Sequence, residues 1–302
     1  MHRADFLLAL AAGTATPPAA LVDGPAPRVR HAAETPFSAQ ERRGRGRLGV
    51  AAIDLGSGRR LEQRGSERFP LASTFKLPLV MAVLTRVDHG TERLDRKIRF
   101  KASDIIAYSP AVSQQPHGGS LSVAALCAAA IEQSDNSAAN LLLRTVGGPA
   151  GVTAYVRGLG DTVTRLDRTE PALNESIPGD VRDTTSPDAM ARLVARLVRE
   201  PLLTPASKAH LFAWLRGSTT GAARIRAGVP AGWTVDDKTG TTNTSGNDVA
   251  ILWPRSGEPI VLAVYFAEVK ASDAERDAAI ADVAAAVVAS LRSPTPSGRR
   301  CR

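Results

Sequence analysis

The sequence predicts an α+β fold, an antiparallel five-stranded sheet flanked by helices, with an all-helical domain inserted into it. Three observations point there. Strand-like runs occur only towards the two ends of the chain, a long helical stretch fills the middle, and a last helical run follows the final strand. The first hairpin has no partner nearby, so the simplest solution pairs it with the C-terminal strands. The helical middle then becomes an insertion, and a cleft forms where the two parts meet.

Taken in order, residues 1–43 read as a signal-like segment and linker. Arg3 precedes the apolar stretch Phe6-Leu7-Leu8-Ala9-Leu10-Ala11-Ala12, which runs into small residues and Pro17-Pro18. Residues 13–46 are rich in Ala, Pro, Gly and Arg without periodicity, so order is expected to begin at Leu48. Residues 48–55 and 59–63, separated by Gly56-Ser57-Gly58, form the hairpin. With residues 217–292 they make an α/β domain, 44–68 plus 217–292. Residues 69–216 are the all-helical insert. Within it, Met190, Leu193, Val194, Leu197 and Val198 fall on one helical stripe. Residues 162–183 carry Pro171, Pro178, several acids and little periodicity, which reads as a long ordered loop and hence a functional one. Strands return at 233–241, 247–253 and 260–268, and Ser272 caps a closing helix to about Leu291. Residues 293–302 read as a tail.

The 302 residues suffice for one large core or two small domains sharing a cleft. With 43% hydrophobic and 23% charged residues the composition is that of a soluble globular protein. No apolar run is long enough for a transmembrane helix. The net charge of +8 comes mainly from arginines scattered among acids, without a reading motif, which argues against nucleic acid and only generally favours anionic substrates. The one basic run, Arg42-Arg43-Gly44-Arg45-Gly46-Arg47, reads as solvated linker. Of two cysteines, Cys127 falls in an apolar helical run and Cys301 in the tail, so no disulfide is expected between them. The five histidines show no metal-ligand spacing, and neither metal nor cofactor is expected.

Four motifs carry chemistry. In Ser73-Thr74-Phe75-Lys76, residues three apart share a helix face, so Ser73 Oγ and Lys76 Nζ come within hydrogen-bond reach. A serine hydroxyl is a weak nucleophile until a base takes its proton, and a desolvated lysine can do so. Alone, this pair is often a cap and a surface lysine. Ser134-Asp135-Asn136 is, alone, a cap or turn. In Asp237-Lys238-Thr239-Gly240-Thr241 the threonines share a strand face and Gly240 permits close approach, although an edge strand kept soluble by a lysine would look the same. The chain has six lysines, and two of them stand in these boxes, which makes coincidence remote. The fourth motif, Arg168-Thr169-Glu170-Pro171-Ala172-Leu173-Asn174, lies in the long loop ahead of Asp183.

Ser-x-x-Lys, Ser-Asp-Asn and Lys-Thr-Gly in this order resemble the set shared by class A β-lactamases and penicillin-binding proteins. The Glu170 loop resembles the Ω loop (165–183) of class A β-lactamases. The resemblance spans about residues 44–292 and includes Tyr108-Ser109-Pro110, where the family places a cleft-lining aromatic. It implies the β-lactamase/transpeptidase-like fold and hydrolysis of penicillins and cephalosporins through a Ser73 acyl-enzyme. It implies Lys76, Ser134 and Glu170 as the other catalytic residues, with Glu170 activating the deacylating water and Asn174 helping to hold it. Ser134 would return a proton to the departing nitrogen. Substrate would be bound by Tyr108, Asn136, Asn174, Arg224, Lys238, Thr239, Gly240 and Thr241, with the backbone N–H groups of Ser73 and Thr241 as the oxyanion hole. Arg168 would brace the loop through Asp183, and the Glu170–Pro171 bond would be cis. Whether Lys76 or Glu170 is the acylation base stays open.

Two departures from the family stand out. The cysteine that some members place near Val80 to meet the one at Cys127 is absent, and residues 247–253 lack the arginine that many use for the substrate carboxylate. That role is carried to Arg224, whose loss is then expected to weaken binding far more than stability. Ala72 and Thr242 occupy places where some carbapenem-hydrolysing members have a cysteine pair, which closes that route. The resemblance further implies a secreted or periplasmic antibiotic-resistance enzyme, a monomer without membrane anchor, whose partners are small β-lactams. A penicillin-binding D,D-peptidase or a non-hydrolytic β-lactam sensor would share the first three boxes but lack the Glu170 loop.

Overall fold

The computed structural model describes residues 36–292. The signal-like stretch and Cys301 lie outside the described residues.

The elements run α1 (Ser38–Gly44), β1 (Arg47–Asp54), β2 (Arg60–Gln63), β3 (Phe69–Pro70), α2 (Lys76–Asp88), β4 (Lys97–Lys101), β5 (Gly118–Ser122), α3 (Val123–Glu132), α4 (Asn136–Thr145), α5 (Gly148–Gly158), β6 (Thr184–Thr185), α6 (Pro187–Arg199), α7 (Pro205–Arg216), β7 (Thr234–Thr242), β8 (Ser245–Trp253), β9 (Ile260–Ala267) and α8 (Asp273–Arg292). The main sheet has five strands, ordered β2-β1-β9-β8-β7 and antiparallel throughout. The first hairpin thus joins the C-terminal strands through β1 and β9, as the missing local partner required.

Strand β9 shows why the sheet sits in the middle. Its sequence Ile-Val-Leu-Ala-Val-Tyr-Phe-Ala is apolar on both faces, and every residue is buried. Val261, Ala263 and Tyr265 face a core shared with α2, α6 and β3, where Phe69, Met81 and Leu197 pack. Ile260, Leu262, Val264 and Phe266 face a second core against α8, with Val283 and Val287. Two packed faces turn the usual polar–apolar alternation into a continuous apolar run. In α6 the expected stripe is realised: Met190, Leu193, Val194 and Leu197 are buried, and Ser186 caps its N-terminus through the Ala189 N–H. Helix α8 begins at the predicted place. Ser272 Oγ accepts from the Glu275 N–H at 3.3 Å while Glu275 returns a bond to the Ser272 N–H at 2.9 Å, a capping box.

Two expectations need correction. The segment 36–46 is not linker: α1 lies against α8, with Phe37 buried in the second core and Arg43 paired with Asp282 at 2.6 Å. Arg47, read as solvated, bonds Glu67 and Glu268 at 3.0 Å each and lies over the Phe69 ring. A single buried aromatic anchors this helix, too sparse a signal for periodicity to register. The helical insert is also interrupted by a β4–β5 ladder pairing Lys97 with Ser122 through Lys101 with Gly118. The alternation Lys97-Ile98-Arg99-Phe100-Lys101 carries that strand within a stretch whose surrounding pattern is helical. Cys127 is fully buried, and burial pushes its thiol pKa well up, so it packs as a small apolar side chain.

Candidate active site

Ser73 sits in a 3₁₀ turn, Ala72–Phe75, that leads straight into α2. Ala72 enters this turn at φ 44°, a left-handed conformation costly for a residue with a Cβ. Ser134 at φ 57° and Tyr108 at φ 58° share that feature, so three non-glycine residues around one cleft hold unfavourable backbone geometry. Such strain is tolerated where surrounding contacts over-determine the chain. Around Ser134 they do: Asp135 is buried, caps α4 through the Ala138 N–H at 2.8 Å, and accepts the Ala111 and Val112 N–H groups at 2.9 and 3.0 Å.

Lys76 is the hub. Its buried Nζ donates to Ser73 Oγ at 2.8 Å, to Asn136 Oδ1 at 2.6 Å and to the Ser134 carbonyl at 2.8 Å. It also stands 3.1 Å from Glu170 Oε1. Burial pushes its pKa below the ordinary lysine range, and the neighbouring Glu170 carboxylate opposes that shift. Glu170 is buried too, its Oε1 is 3.4 Å from Ser73 Oγ, and its Oε2 accepts Asn174 Nδ2 at 2.5 Å. Asn174 Oδ1 is a buried oxygen to which no described protein group donates.

The loop that delivers Glu170 is clamped at its base. Asp183 takes the Asp167 and Arg168 N–H groups on Oδ1, at 2.8 and 2.9 Å, and Arg168 Nε on Oδ2 at 2.6 Å. The Glu170–Pro171 bond is cis, as expected. Sequence reasoning missed Asn140, which brackets Glu170 from below: its Oδ1 accepts the Glu170 N–H at 3.0 Å and its Nδ2 donates to the Glu170 carbonyl at 2.9 Å. The signal was available, since Asn140 stands one helical turn after Asn136 on α4 and therefore on the same side.

Strand β7 forms the opposite wall. Lys238 is fully buried and donates to Ser134 Oγ at 3.1 Å and to the Thr239 carbonyl at 2.9 Å. Burial, and then the like charge of Lys76, lowers its pKa to about 7. Ser134 Oγ thus lies between the Nζ atoms of two lysines, with Lys76 at 3.4 Å. Thr239 Oγ1 pairs with Thr220 Oγ1 at 2.6 Å, and Thr241 Oγ1 accepts from Arg224 at 2.8 Å. Gly240 earns its place by close approach. A Cβ there would stand 3.1 Å from the Ser73 amide nitrogen and 3.0 Å from the Leu71 carbonyl.

Arg224 is buried and engaged at each of its nitrogens, with Asp277, the carbonyls of Gly240 and Asn247, and Thr241 Oγ1. Its loss would take the donor from two buried carbonyls, so a cost in stability is expected beside the larger effect on binding. Asn136 likewise serves the protein at both ends, with Nδ2 on the Ala107 carbonyl at 3.1 Å. Tyr108 stands 62% exposed at the rim of the cleft.

All the sequence-selected residues therefore converge. Ser73, Ser134, Asn136, Asn174, Arg224 and Thr241 line one cleft of about 750 Å³, with Tyr108, Thr239 and Gly240; Lys76, Lys238 and Glu170 lie buried behind its wall. No group of three or more His, Cys, Asp or Glu able to hold a metal occurs among the described residues.

Comparison with known proteins agrees with this geometry. Residues 34–291 match the family model described as a β-lactamase enzyme family. The solved class A β-lactamase of the last common ancestor of Gram-negative bacteria is 51% identical, with 84% of this chain and 97% of that chain covered at a TM-score of 0.82. A chain described as a class A β-lactamase from Rhodopseudomonas palustris is 47% identical, with 84% and 99% covered and a TM-score of 0.81.

Proposed function

We propose, from the premise that this chain belongs to the class A β-lactamases and is a hydrolase of β-lactam antibiotics, a division of roles among its cleft residues. Ser73 Oγ attacks the strained carbonyl and carries the acyl group. Its proton passes to Lys76 or, through water, to Glu170, both of which lie against it. The N–H groups of Ser73 and Thr241 take the developing oxyanion, a reading supported by the tight fit of Gly240 against the Ser73 nitrogen. Ser134, wedged between Lys76 and Lys238, passes a proton to the departing ring nitrogen.

Glu170 then acts as general base on the deacylating water, with Asn174 as its second anchor. The observation that carries this reading is the buried, unpaired Asn174 Oδ1 on a side chain whose other end grips Glu170 Oε2. Lys238, Thr239, Thr241 and Arg224 bind the substrate carboxylate, Asn136 the side-chain amide, and Tyr108 closes the rim. The same reading assigns the sheet part, 44–68 with 217–292, and the helical part, 69–216, to opposite walls of the cleft. It also takes the enzyme as a monomer exported to the periplasm or medium, where its substrates are met; the Arg3–Ala12 pattern supports export. Turnover of a chromogenic cephalosporin by the purified protein tests the assignment as a whole. An enzyme that acylates but never turns over would instead be a penicillin-binding sensor or peptidase.

A further inference from the structure

Beneath β7, on the face away from Lys76, two carboxyl groups are fully buried and take no part in the chemistry above. Asp237 pairs across strands with Ala250, and Asp248 with Thr239, so the two acids are diagonal neighbours on one face of the β7–β8 ladder. Both also meet one chain segment. Asp248 Oδ2 accepts the Ile225 N–H at 3.1 Å, while Asp237 takes the Arg226 guanidinium on Oδ1 and Ser218 Oγ on Oδ2 at 3.0 Å.

Their partners are unequal. Asp237 has a cation and a hydroxyl. Asp248 has one amide, and its Oδ1 is buried without any partner. An ionised carboxylate with an undonated buried oxygen is costly, and a proton on that oxygen removes the buried charge. We propose that Asp237 and Asp248 hold one proton between them at neutral pH and that it resides on Asp248, leaving a single negative charge under the carboxylate-binding strand.

Burial first, and then the charge of Asp237, raises the Asp248 pKa well above the ordinary range, while at Asp237 burial raises the pKa and Arg226 opposes it. The other charged groups acting on Asp248 are Arg224 of the loop and Lys238 on the far face of β7; Arg224 is in turn paired with Asp277 at the start of α8, which also holds Arg276. Neighbouring β9 offers Val264 beside it and Tyr265 on the opposite face. Arg224 makes no hydrogen bond to Asp248; four of its five N–H groups go to Asp277, two carbonyls and Thr241. A neutral Asp248 leaves the positive charge of Arg224 and Lys238 undiminished on the cleft side. That consequence rests on the carboxylate-binding role proposed for them; the proton itself does not, and it is tested without substrate.

Infrared difference spectra of protein carrying aspartate labelled with ¹³C at the side-chain carboxyl should show a carboxylic-acid C=O band at neutral pH that shifts with the label and is lost in Asp248→Asn. Stability gives a second readout. The folded state keeps a proton that the unfolded chain releases near the ordinary aspartate pKa of about 4, so wild-type stability falls as pH rises above that value. Asp248→Asn lacks this fall. Its Tm should exceed the wild type at neutral pH, with the gap closing towards about pH 4. Absence of a labelled acid band, or an Asp248→Asn protein less stable at neutral pH by a margin that acid does not change, overturns the proposal. Should the variant fail to fold, the labelled wild-type spectrum decides alone.

Discussion

Glu170 Oε1 lies 3.4 Å from Ser73 Oγ, although 97 residues separate the two in the chain. Folding brings both candidate bases, Lys76 and Glu170, to one hydroxyl, so on the proposed roles removing Ser73 or Glu170 should stop the cycle at a different point. Ser73→Ala should give neither turnover nor adduct. Glu170→Asn keeps Ser73 and Lys76, so the protein mass should rise by one whole penicillin and stay raised, with at most a stoichiometric burst of product. Wild-type turnover by Glu170→Asn, read in a steady-state assay, would remove Glu170 from deacylation; failure to acylate would make it indispensable to the first step.

Asn140 touches only the backbone of Glu170, so its effect should be on aim. Asn140→Ala should lower kcat by about 10- to 100-fold, the scale of a misplaced general base, while KM falls as the acyl-enzyme accumulates. Stopped-flow separation of the two steps checks this: a slowed acylation with unchanged deacylation would contradict it.

For Arg224→Ala two effects are expected together. KM for penicillins should rise about tenfold, Lys238 remaining as the other cation. Thermal or urea unfolding should also show a loss on the order of 2 kcal/mol, from carbonyls left without a donor. An unchanged KM would assign the carboxylate to another group.

Lys238, with a pKa of about 7, should lose its charge as pH rises through that value. The substrate carboxylate then loses an ammonium partner, so KM for penicillins should climb on the alkaline side of neutrality. Lys238→Arg, charged throughout, should flatten that limb of the pH profile. A KM that falls with rising pH would contradict the assignment.

Asp183 holds the base of the Glu170 loop by three bonds from Asp167 and Arg168. Asp183→Ala should cost on the order of 2 kcal/mol of stability by leaving the Asp167 and Arg168 N–H groups without their acceptor, Arg168 keeping Glu175 as an ion partner. It should also slow deacylation more than acylation, and burst kinetics distinguish the two.

Much of this was legible in the chain because motif chemistry and periodicity are local. Ser73 and Lys76 needed only helix spacing; β1, β8 and β9 showed as apolar runs, β2 as the hairpin partner beyond Gly56-Ser57-Gly58, and β7 as the β-rich stretch carrying the lysine motif. What escaped were features whose signal is non-local. Helix α1 forms because Phe37 finds the α8 core, and nothing within residues 36–46 announces that. The β4–β5 ladder was written in the alternation around Ile98 and Phe100 but surrounded by helical pattern. For Arg224 the sequence suggested a cation in the cleft, but not that four of its five donors already bond Asp277, Gly240, Asn247 and Thr241.

Strand β7 closes the sheet on the cleft side. An edge strand ordinarily invites another polypeptide to pair with it, the route by which sheets aggregate. Here the Ala72–Phe75 turn and α7 pack against β7, so only a molecule small enough to enter the cleft can reach it. If the cleft takes a β-lactam as proposed, its substrate meets a strand edge that a second polypeptide is kept from pairing with.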